Sequence, residues 1–235
     1  MPQDFKDAQT AQEWDRDTVW YNPTRPEQLD LLLTLLADHV QPGATLIDLG
    51  FGSGQVEKLL FERIPTVKVI GVDHSPAMMS LARERLQPYQ DRLQMIEHDL
   101  RDLPHLPVPA AQASAIISVQ ALHHLTDSEM QVAYRAIHDL LAPGGLFLLL
   151  DRIHVNQPAL YPAYQSFWRW LDQKLDSKQA THEGADYNAH LKTLHDRDDI
   201  PLAPERHLEL MRDAGMQSVC LHLSGVRALF AATRS

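Results

Sequence analysis

Short apolar runs alternate with helical patterns along most of this chain, and that alternation limits its fold more than any other feature. Five apolar runs predict buried strands, at residues 45–49, 67–72, 93–97, 115–119 and 146–150. Amphipathic patterns lie near residues 55–63, 77–87 and 128–141, and another precedes the first strand, between Pro23 and Val40. Strands that alternate with helices are typical of a parallel sheet covered by helices on both faces.

The end of the chain leaves this alternation. A helical pattern over 204–214 stops at Gly215, and two extended stretches follow at 217–223 and 228–233. The Ser224-Gly225 pair between these stretches indicates a hairpin that closes one edge of the sheet.

Aromatic side chains are concentrated in two segments outside the alternating pattern. Ten of the 16 Phe, Trp and Tyr residues fall within 1–21 or 152–202. We expect one domain over 1–235, with an N-terminal lid segment at 1–24 and a helical cap insertion at 152–202. Some of the flanking rings are expected to line a pocket. One helical stripe of the cap is expected to pack onto the core: Leu160, Tyr164, Phe167, Leu171 and Leu175.

The composition argues against several kinds of partner and site. Lys and Arg total 21 against 31 Asp and Glu, and the resulting net charge of −10 opposes binding to nucleic-acid backbones. We therefore expect no DNA partner and disfavour tRNA. The single cysteine, Cys220, forms no intramolecular disulfide, and no His-Glu-x-x-His spacing occurs, so no metal is expected.

The same kind of reasoning predicts a compartment. The first ten residues are polar, and the longest apolar run, 145–150, is too short to cross a bilayer. These features predict a cytoplasmic protein with no membrane partner, either a monomer or a homodimer.

The strongest motif follows the first predicted strand. Residues 46–54 read Leu-Ile-Asp-Leu-Gly-Phe-Gly-Ser-Gly, and a helical pattern starts directly after them. Alternate glycines let a ligand approach the backbone without a Cβ atom in the way. A dinucleotide fingerprint would have glycine at Gln55, and no Walker lysine follows the loop. The spacing therefore favours a nucleoside ligand without phosphates.

Acidic residues follow the next two predicted strands. Asp73 lies 21 residues after Gly52, where a carboxylate accepts hydrogen bonds from a ribose diol. Asp99 follows the third strand, where it is placed to accept from an adenine amino group. Taken alone, Asp99 fits a solvated loop acid equally well.

Together these segments resemble a known family. Asp48-Leu-Gly50-Phe-Gly52-Ser-Gly54, Asp73, His98-Asp99-Leu100 and Leu141-Ala-Pro-Gly-Gly145 are similar to motifs of the class I S-adenosylmethionine-dependent methyltransferases. The resemblance covers about residues 25–151 and 204–235. It implies an α/β fold, a three-layer Rossmann-like sandwich with a mostly parallel seven-stranded sheet and a C-terminal antiparallel hairpin. The cap insertion would add a helical lid.

The resemblance also implies a site for S-adenosyl-L-methionine (SAM). Asp73 would hold the ribose, Met78 would pack on the adenine, and Asp99 would meet the amino edge of that base. Asp48 would order the ammonium group through the glycine loop. The glycines expected near the methionine part are Gly50, Gly52 and Gly54. Further cofactor contacts are expected from His74, Leu100 and Gln120, and from Tyr21 or Arg25 at the methionine carboxylate.

A histidine pair follows the fourth predicted strand, in the segment Leu122-His123-His124-Leu125. Histidine suits base catalysis near neutral pH, and this segment leaves the strand beside the expected methyl group. The pair can serve packing and loop shape, or one ring can act as the catalytic base, and if either acts we favour His123. A base is needed only where the acceptor must lose a proton.

The sequence therefore predicts a SAM-dependent methyltransferase that acts on O, N or C of a small, partly aromatic or apolar molecule by in-line displacement. One alternative is an RNA-modifying relative, because residues 73–79 and 99–102 resemble runs in the tRNA wobble-uridine carboxymethyl transferases. Another is a protein that binds SAM without turnover, since methyl transfer has no obligatory catalytic residue.

Overall fold

The computed structural model describes residues 7–234, except for the side chains of residues 8, 14 and 17–21. In this part of the chain one sheet contains seven strands: β1 (Thr45–Leu49), β2 (Lys68–Asp73), β3 (Leu93–Glu97), β4 (Ala113–Val119), β5 (Leu141–Arg152), β6 (Met216–Ser224) and β7 (Arg227–Arg234). Their order is β3-β2-β1-β4-β5-β7-β6. Strands β1 to β5 are parallel, and β7 is antiparallel to both β5 and β6. The predicted fold class is confirmed.

Helices occupy most of the remaining described chain: α1 (Ala8–Tyr21), α2 (Arg25–His39), α3 (Gln55–Arg63), α4 (Pro76–Arg85), α5 (Asp127–Leu140), α6 (Tyr161–Leu175), α7 (Gln179–Glu183), α8 (Tyr187–Asp196) and α9 (Pro204–Asp213). Capping residues in the sequence mark where some of these helices begin. The Ser75 side chain caps α4, and Thr126 forms a capping box with Glu129 at the start of α5. None of the described helices is long and apolar enough to cross a membrane.

Helices cover both faces of the sheet, which gives the three layers. On one face α5 and α9 bury residues such as Met130 and Leu210 against the sheet. On the other face α2, α3 and α4 bury residues such as Leu32, Leu60 and Met79. Both cores are apolar, so the central parallel strands β1, β2 and β4 are mostly buried. The prediction of a buried strand at 93–97 is wrong in its burial, because β3 lies at the edge of the sheet and its residues are half-buried or exposed.

Strand β5 is longer than its apolar run. The sequence predicts residues 146–150, because Pro143, Gly144 and Gly145 have the composition of a turn. In the structure Leu141 already pairs with Ala113 of β4, across a bulge, and Arg152 still pairs with Arg227 of β7. Pairing with two neighbours therefore extends this strand beyond what its composition predicts.

The cap buries a different helix face from the expected stripe. Along α6, Trp168 is 0% and Leu171 is 5% exposed, whereas Leu160 and Leu175 at the ends of the stripe are 56% and 44% exposed. The Tyr161 hydroxyl donates to the Gly184 carbonyl oxygen at 2.8 Å, which turns Tyr161 and Trp168 toward α7 and α8. The expected stripe is thus wrong at both ends, because contacts within the cap decide the face.

Buried charges attach the cap to the sheet. The Arg152 guanidinium, at the end of β5, donates to the Glu183 carboxylate of α7, and both side chains are almost fully buried. Arg152 Nε also lies 3.5 Å from Asp199 Oδ2 in the segment after α8. The Ile200 backbone N–H then donates to the His123 carbonyl oxygen at 2.6 Å. The cap therefore meets the sheet through polar groups at the carboxyl edge of β4 and β5.

We predict that Glu183→Gln, which removes the charge and keeps the shape, lowers the free energy of unfolding by about 3–5 kcal/mol. The reason is that Arg152 and Arg227 would stay buried without this carboxylate. Urea unfolding followed by tryptophan fluorescence measures the loss. Lys192→Ala is the matched control, because its pair with Asp196 is exposed and should contribute almost nothing. Equal effects of the two changes would contradict the role given to Glu183.

Candidate functional site

A cleft opens at the carboxyl edge of the parallel strands, where open α/β sheets bind ligands. It is lined by the loops after β1, β2, β3 and β4, by Arg25 of α2, and by two residues from the cap. Ten of the residues predicted from sequence line it: Arg25, Asp48, Gly50, Gly52, Asp73, His74, Met78, Asp99, Leu100 and Gln120. Gly54 and His123 are adjacent to the lining rather than part of it, and the Tyr21 side chain lies outside the described residues. The roles of all of them stay predictions.

The glycine loop needs its glycines for two different reasons. Gly50, Gly52 and Gly54 all have positive φ, at 81°, 58° and 76°. A Cβ on Gly50 would lie 2.2 Å from the Ala121 Cβ, and one on Gly54 would lie 2.7 Å from Leu86 Cδ1. A Cβ on Gly52 would meet no protein atom within 4 Å. The outer glycines thus allow packing, whereas Gly52 leaves open space on the ligand side.

Asp73 ties this loop to the next one. Its Oδ2 accepts from the Gly52 backbone N–H at 2.9 Å, and its Oδ1 accepts from the Ser75 N–H at 2.8 Å. Burial raises the pKa of Asp73, while these backbone bonds lower it in part. Each oxygen keeps a second lone pair, so the carboxylate can still accept from a diol.

Buried charges form the floor of the cleft beside α2. Asp48 and Glu57 are both buried, and neither carboxylate oxygen of Asp48 receives a hydrogen bond from a described nitrogen or hydroxyl group. Burial, and then the charge of Glu57, raise the pKa of Asp48. Arg25 is nearby and remains a cation, since burial lowers its pKa only to about 10. A buried acidic pair beside an arginine fits the ammonium and carboxylate of an amino acid.

Gln120 is strained where β4 ends. Its φ is +58°, a conformation that costs a non-glycine residue about 1–3 kcal/mol, and such strain is concentrated at functional sites. Its side chain lines the cleft, and its Nε2 is buried with no hydrogen-bond acceptor among the described residues. The amide is therefore a donor available to a ligand.

His123 is held between two carboxylates behind the cleft wall. Its Nδ1 lies 2.5 Å from Asp151 Oδ1, and its Nε2 lies 3.4 Å from Asp199 Oδ1. Burial alone would lower the pKa of His123, but the charges of Asp151 and Asp199 raise it to about 9. The ring is therefore an imidazolium at neutral pH, without a lone pair to accept a proton. This arrangement disfavours the base role that the sequence gives to His123.

His124 has the opposite electrostatic setting and lines the cleft itself. Its Nδ1 lies 2.9 Å from the Asp198 carbonyl oxygen, and because a carbonyl only accepts, Nδ1 carries the hydrogen. Burial, and then the charge of His123, lower the pKa of His124. The ring is neutral at pH 7, and its Nε2 keeps a lone pair that can accept a proton.

Three kinds of contact at the site have no signal in the sequence. Arg197 and Asp198 of the cap line the cleft, although no motif surrounds them. Arg101 lines it as well, 3.6 Å from Asp99. From α1, Asp15 pairs with Arg85 at 2.7 Å and accepts from Ser53 in the glycine loop. The contacts of the cap and of Asp15 depend on segments far apart in the chain, whereas Arg101 is a neighbour of the predicted Asp99.

One group in the described chain has a composition that suits a metal. Ligand atoms of His123, His124 and Asp199 lie within 4.8 Å of one another. A protonated His123 ring between Asp151 and Asp199 accounts for the same contacts without a metal ion. The sequence-based expectation of no metal stays a prediction.

We predict that the ion pairs of His123 make stability depend on pH. The folded pKa of about 9 exceeds the unfolded value near 6.5, so the stabilisation is complete below pH 6.5 and is lost as pH rises through 9. The free energy of unfolding should fall by about 3 kcal/mol between pH 6.5 and 9.5. His123→Gln should remove this part of the slope, measured by urea unfolding across that range. Parallel profiles for the two proteins would contradict the ion pairs.

Comparisons with known proteins identify the family. A family model described as a methyltransferase domain matches residues 46–145. An uncharacterized methyltransferase of Geobacillus thermodenitrificans is 30% identical over 156 residues, which cover 64% of this chain and 68% of the relative. A carboxy-S-adenosyl-L-methionine synthase of Hamiltonella defensa is 27% identical over 188 residues, covering 77% of this chain and 69% of that protein.

Solved structures agree at the level of the fold. An O-methyltransferase family protein from Burkholderia thailandensis superposes with a TM-score of 0.70 at 19% identity, over 98% of this chain. This chain spans 61% of that protein's length. With the glycine loop, Asp73 and the 3-2-1-4-5-7-6 strand order, these findings place the chain in the class I family of S-adenosylmethionine-dependent methyltransferases.

Proposed function

We propose that this protein transfers the methyl group of SAM to an oxygen, nitrogen or carbon atom of a small molecule. One observation carries the proposal: a single cleft joins the glycine loop and Asp73 to a second set of polar groups at His124 and Asp198. The first set fits a nucleoside with an amino acid end. The second set would then be available to bind a methyl acceptor.

The residues of the cleft fit SAM by their chemistry. Asp48 and Glu57 form a buried acidic pair that suits a cation, Gly52 leaves open space, and Asp73 keeps acceptors for a ribose. When bound, SAM supplies an activated methyl group for in-line displacement. Orientation by the protein can then lower the barrier by about 7–11 kcal/mol, against about 3–5 kcal/mol from a general base. Positioning is thus the larger task of these residues.

We assign the acceptor-facing base to His124, where the acceptor must lose a proton. His124 lines the cleft as a neutral ring, and the Asp198 carbonyl oxygen fixes its tautomer. His123 would act from behind, because its ion pairs with Asp151 and Asp199 hold the turn that carries both rings.

The walls of the acceptor end limit the size and polarity of the acceptor. Leu100, Ala121 and Leu125 supply apolar surface, which fits a partly apolar molecule. The described rings of the cap pack on one another and do not line the cleft. The net charge of −10 disfavours RNA, and we keep the cytoplasm as the expected compartment.

Calorimetric titration tests the cofactor part of the proposal. We predict that the protein binds SAM and S-adenosylhomocysteine (SAH) and does not bind NAD. Asp73→Ala should weaken SAH binding about tenfold or more. It should also abolish the preference of the wild-type protein for adenosine over 2′-deoxyadenosine, because Asp73 would accept from the ribose diol.

Asp15→Ala is the matched control, since Asp15 holds the same glycine loop through Ser53 and Gln55 without lining the cleft. This variant should keep the preference for adenosine. A preserved preference in Asp73→Ala would remove the ribose assignment, and absent binding of SAM and SAH would overturn the proposed function.

A second prediction concerns catalysis. With an acceptor that loses a proton, found by SAH release across a panel of small molecules, His124→Gln should lower kcat by about 10²–10⁴ and leave SAH affinity unchanged. His123→Gln should act mainly on stability. If His123→Gln alone removed kcat in a folded protein, the base assignment would be reversed.

A second candidate function comes from the carboxy-S-adenosyl-L-methionine synthase relative, which matches 77% of this chain. In that case the product would be a carboxylated cofactor rather than a methylated acceptor. Mass spectrometry of the nucleosides that copurify with the protein separates the two, because SAH supports methyl transfer and carboxy-S-adenosyl-L-methionine supports the second candidate.

A further inference from the structure

We propose that Glu57 holds a proton on Asp48 while the cleft is empty, and that the ammonium group of SAM displaces this proton when the cofactor binds. The O–H bond of Asp48 breaks, and the proton passes to the solvent. The inference rests on the proposed function and goes further, because it gives a positioning role to Glu57, which belongs to none of the recognised motifs. Cofactor affinity would then depend on pH.

The fold brings the two carboxyl groups together on one face of the sheet. Asp48 alternates along β1 with the same face as Leu46, which packs in the core under α2, α3 and α4. Glu57 lies in the first turn of α3, which covers that face. The carboxyl groups of Asp48 and Glu57 lie within hydrogen-bonding reach of each other. Because a carboxylate only accepts hydrogen bonds, this contact requires a proton on one of the two groups.

The surroundings of the pair disfavour two negative charges. Asp48 is 1% and Glu57 is 0% exposed, and no nitrogen or hydroxyl group of another described residue donates to an oxygen of either carboxyl. Gly71 is the residue opposite Asp48 on β2, and a Cβ on Gly71 would lie 2.9 Å from the Phe51 ring. This ring therefore fills the space beside Asp48. Burial of two carboxyl groups in such a site strongly disfavours the state in which both are ionised.

The position of Glu57 determines which group is protonated. The N-terminus of a helix favours a negative charge, and Glu57 is in the first turn of α3. Burial, and then the charge and the hydrogen bond of Glu57, raise the pKa of Asp48 well above its usual value. Burial also raises the pKa of Glu57, but its hydrogen bond with Asp48 lowers it in part. Asp48 is therefore the donor, and Glu57 is the carboxylate that accepts.

Other charged groups among the described residues act on the pair in opposite directions. The charge of Arg25 from α2 lowers the pKa of both carboxyls, and the charge of Asp73 at the end of β2 raises it. Ile117, opposite Asp48 on β4, is apolar. Burial has a larger effect on both groups than either of these charges, so the pair keeps its proton in spite of Arg25.

A cofactor would change this balance from the cleft side. Asp48 lines the cleft, whereas Glu57 lies behind it, outside the lining. An ammonium group that approaches Asp48 from the cleft stabilises the ionised form of Asp48, since an opposite charge lowers the pKa of a carboxyl. The bound state then holds one proton fewer than the empty state. Affinity should therefore rise with pH, by up to about tenfold per pH unit.

Calorimetric titration of the wild-type protein in two buffers of different ionisation enthalpy counts the released protons. In a profile from about pH 5.5 to 8.5, we expect SAH binding to release about one proton at its maximum. The probe 5′-methylthioadenosine has the same nucleoside and no ammonium group, so it should release less than about 0.2 protons. Protons released by Asp73 or His74, which would meet the nucleoside in both complexes, cancel in this comparison.

A change at Glu57 tests the positioning role. In Glu57→Gln the side-chain amide can donate to Asp48, which leaves Asp48 ionised in the empty site. This variant should release almost no proton with SAH, and its SAH affinity should be nearly independent of pH. Glu62→Gln is the matched control, because Glu62 is an exposed acid on the same helix. It should keep the wild-type proton release, and the unfolding temperature of each variant shows whether the fold is intact.

Three results would overturn the proposal. SAH binding without proton release would mean that the pair keeps its proton in the complex. Equal release with SAH and 5′-methylthioadenosine would mean that the ammonium group is not the cause, and unchanged release in folded Glu57→Gln would remove the role of Glu57. The first two results come from the wild-type protein, so they decide the question even where Glu57→Gln does not fold. A wild-type protein that binds neither ligand contradicts the proposed function instead.

Discussion

A series of buried ion pairs joins the cap to the carboxyl edge of the sheet. It runs from Glu183 through Arg152, Asp199 and His123 to Asp151. It begins in the cap and ends on β5, so it joins the insertion to the sheet. Removing one partner from such a series leaves an unpaired charge in a region that excludes water. The position in which the cap packs on the sheet is therefore determined by charge pairing and not by apolar contact alone.

The same series positions groups that touch the cleft. Asp199 is fixed by His123 and Arg152, and this places the two preceding residues, Arg197 and Asp198, on the cleft wall. His123 also carries a positive charge beside His124, which helps to keep the second ring neutral. Burial together with this set of ion pairs thus gives two adjacent histidines opposite protonation states, and of the two only His124 lines the cleft.

The part of the cleft that we propose for the cofactor could be predicted from sequence because it is built from local segments. The loops after β1, β2 and β3 each follow a strand with a recognisable apolar run, and their glycines and acids occur at recognisable spacings from it. Strand β1 and helix α3 have the predicted bounds. Strand β5 is longer than predicted, because it pairs with β7. The buried face of α6 also differs from the predicted one, because Tyr161 forms contacts within the cap.

The part of the cleft wall that the cap supplies, Arg197 and Asp198, could not be predicted in this way, since it depends on pairs that are distant in the chain. His124 and Asp198 are 74 residues apart, and the 197–199 turn lies in the insertion, outside the matched residues 46–145. No local sequence pattern predicts such a contact, because it forms only when the cap packs on the sheet. The loops of the sheet thus form their part of the cleft from local segments, whereas the cap contributes its part only when it packs on the sheet. In the proposed function, the first part would bind SAM and the second would face the acceptor, so changes in the cap could alter the acceptor without altering the cofactor.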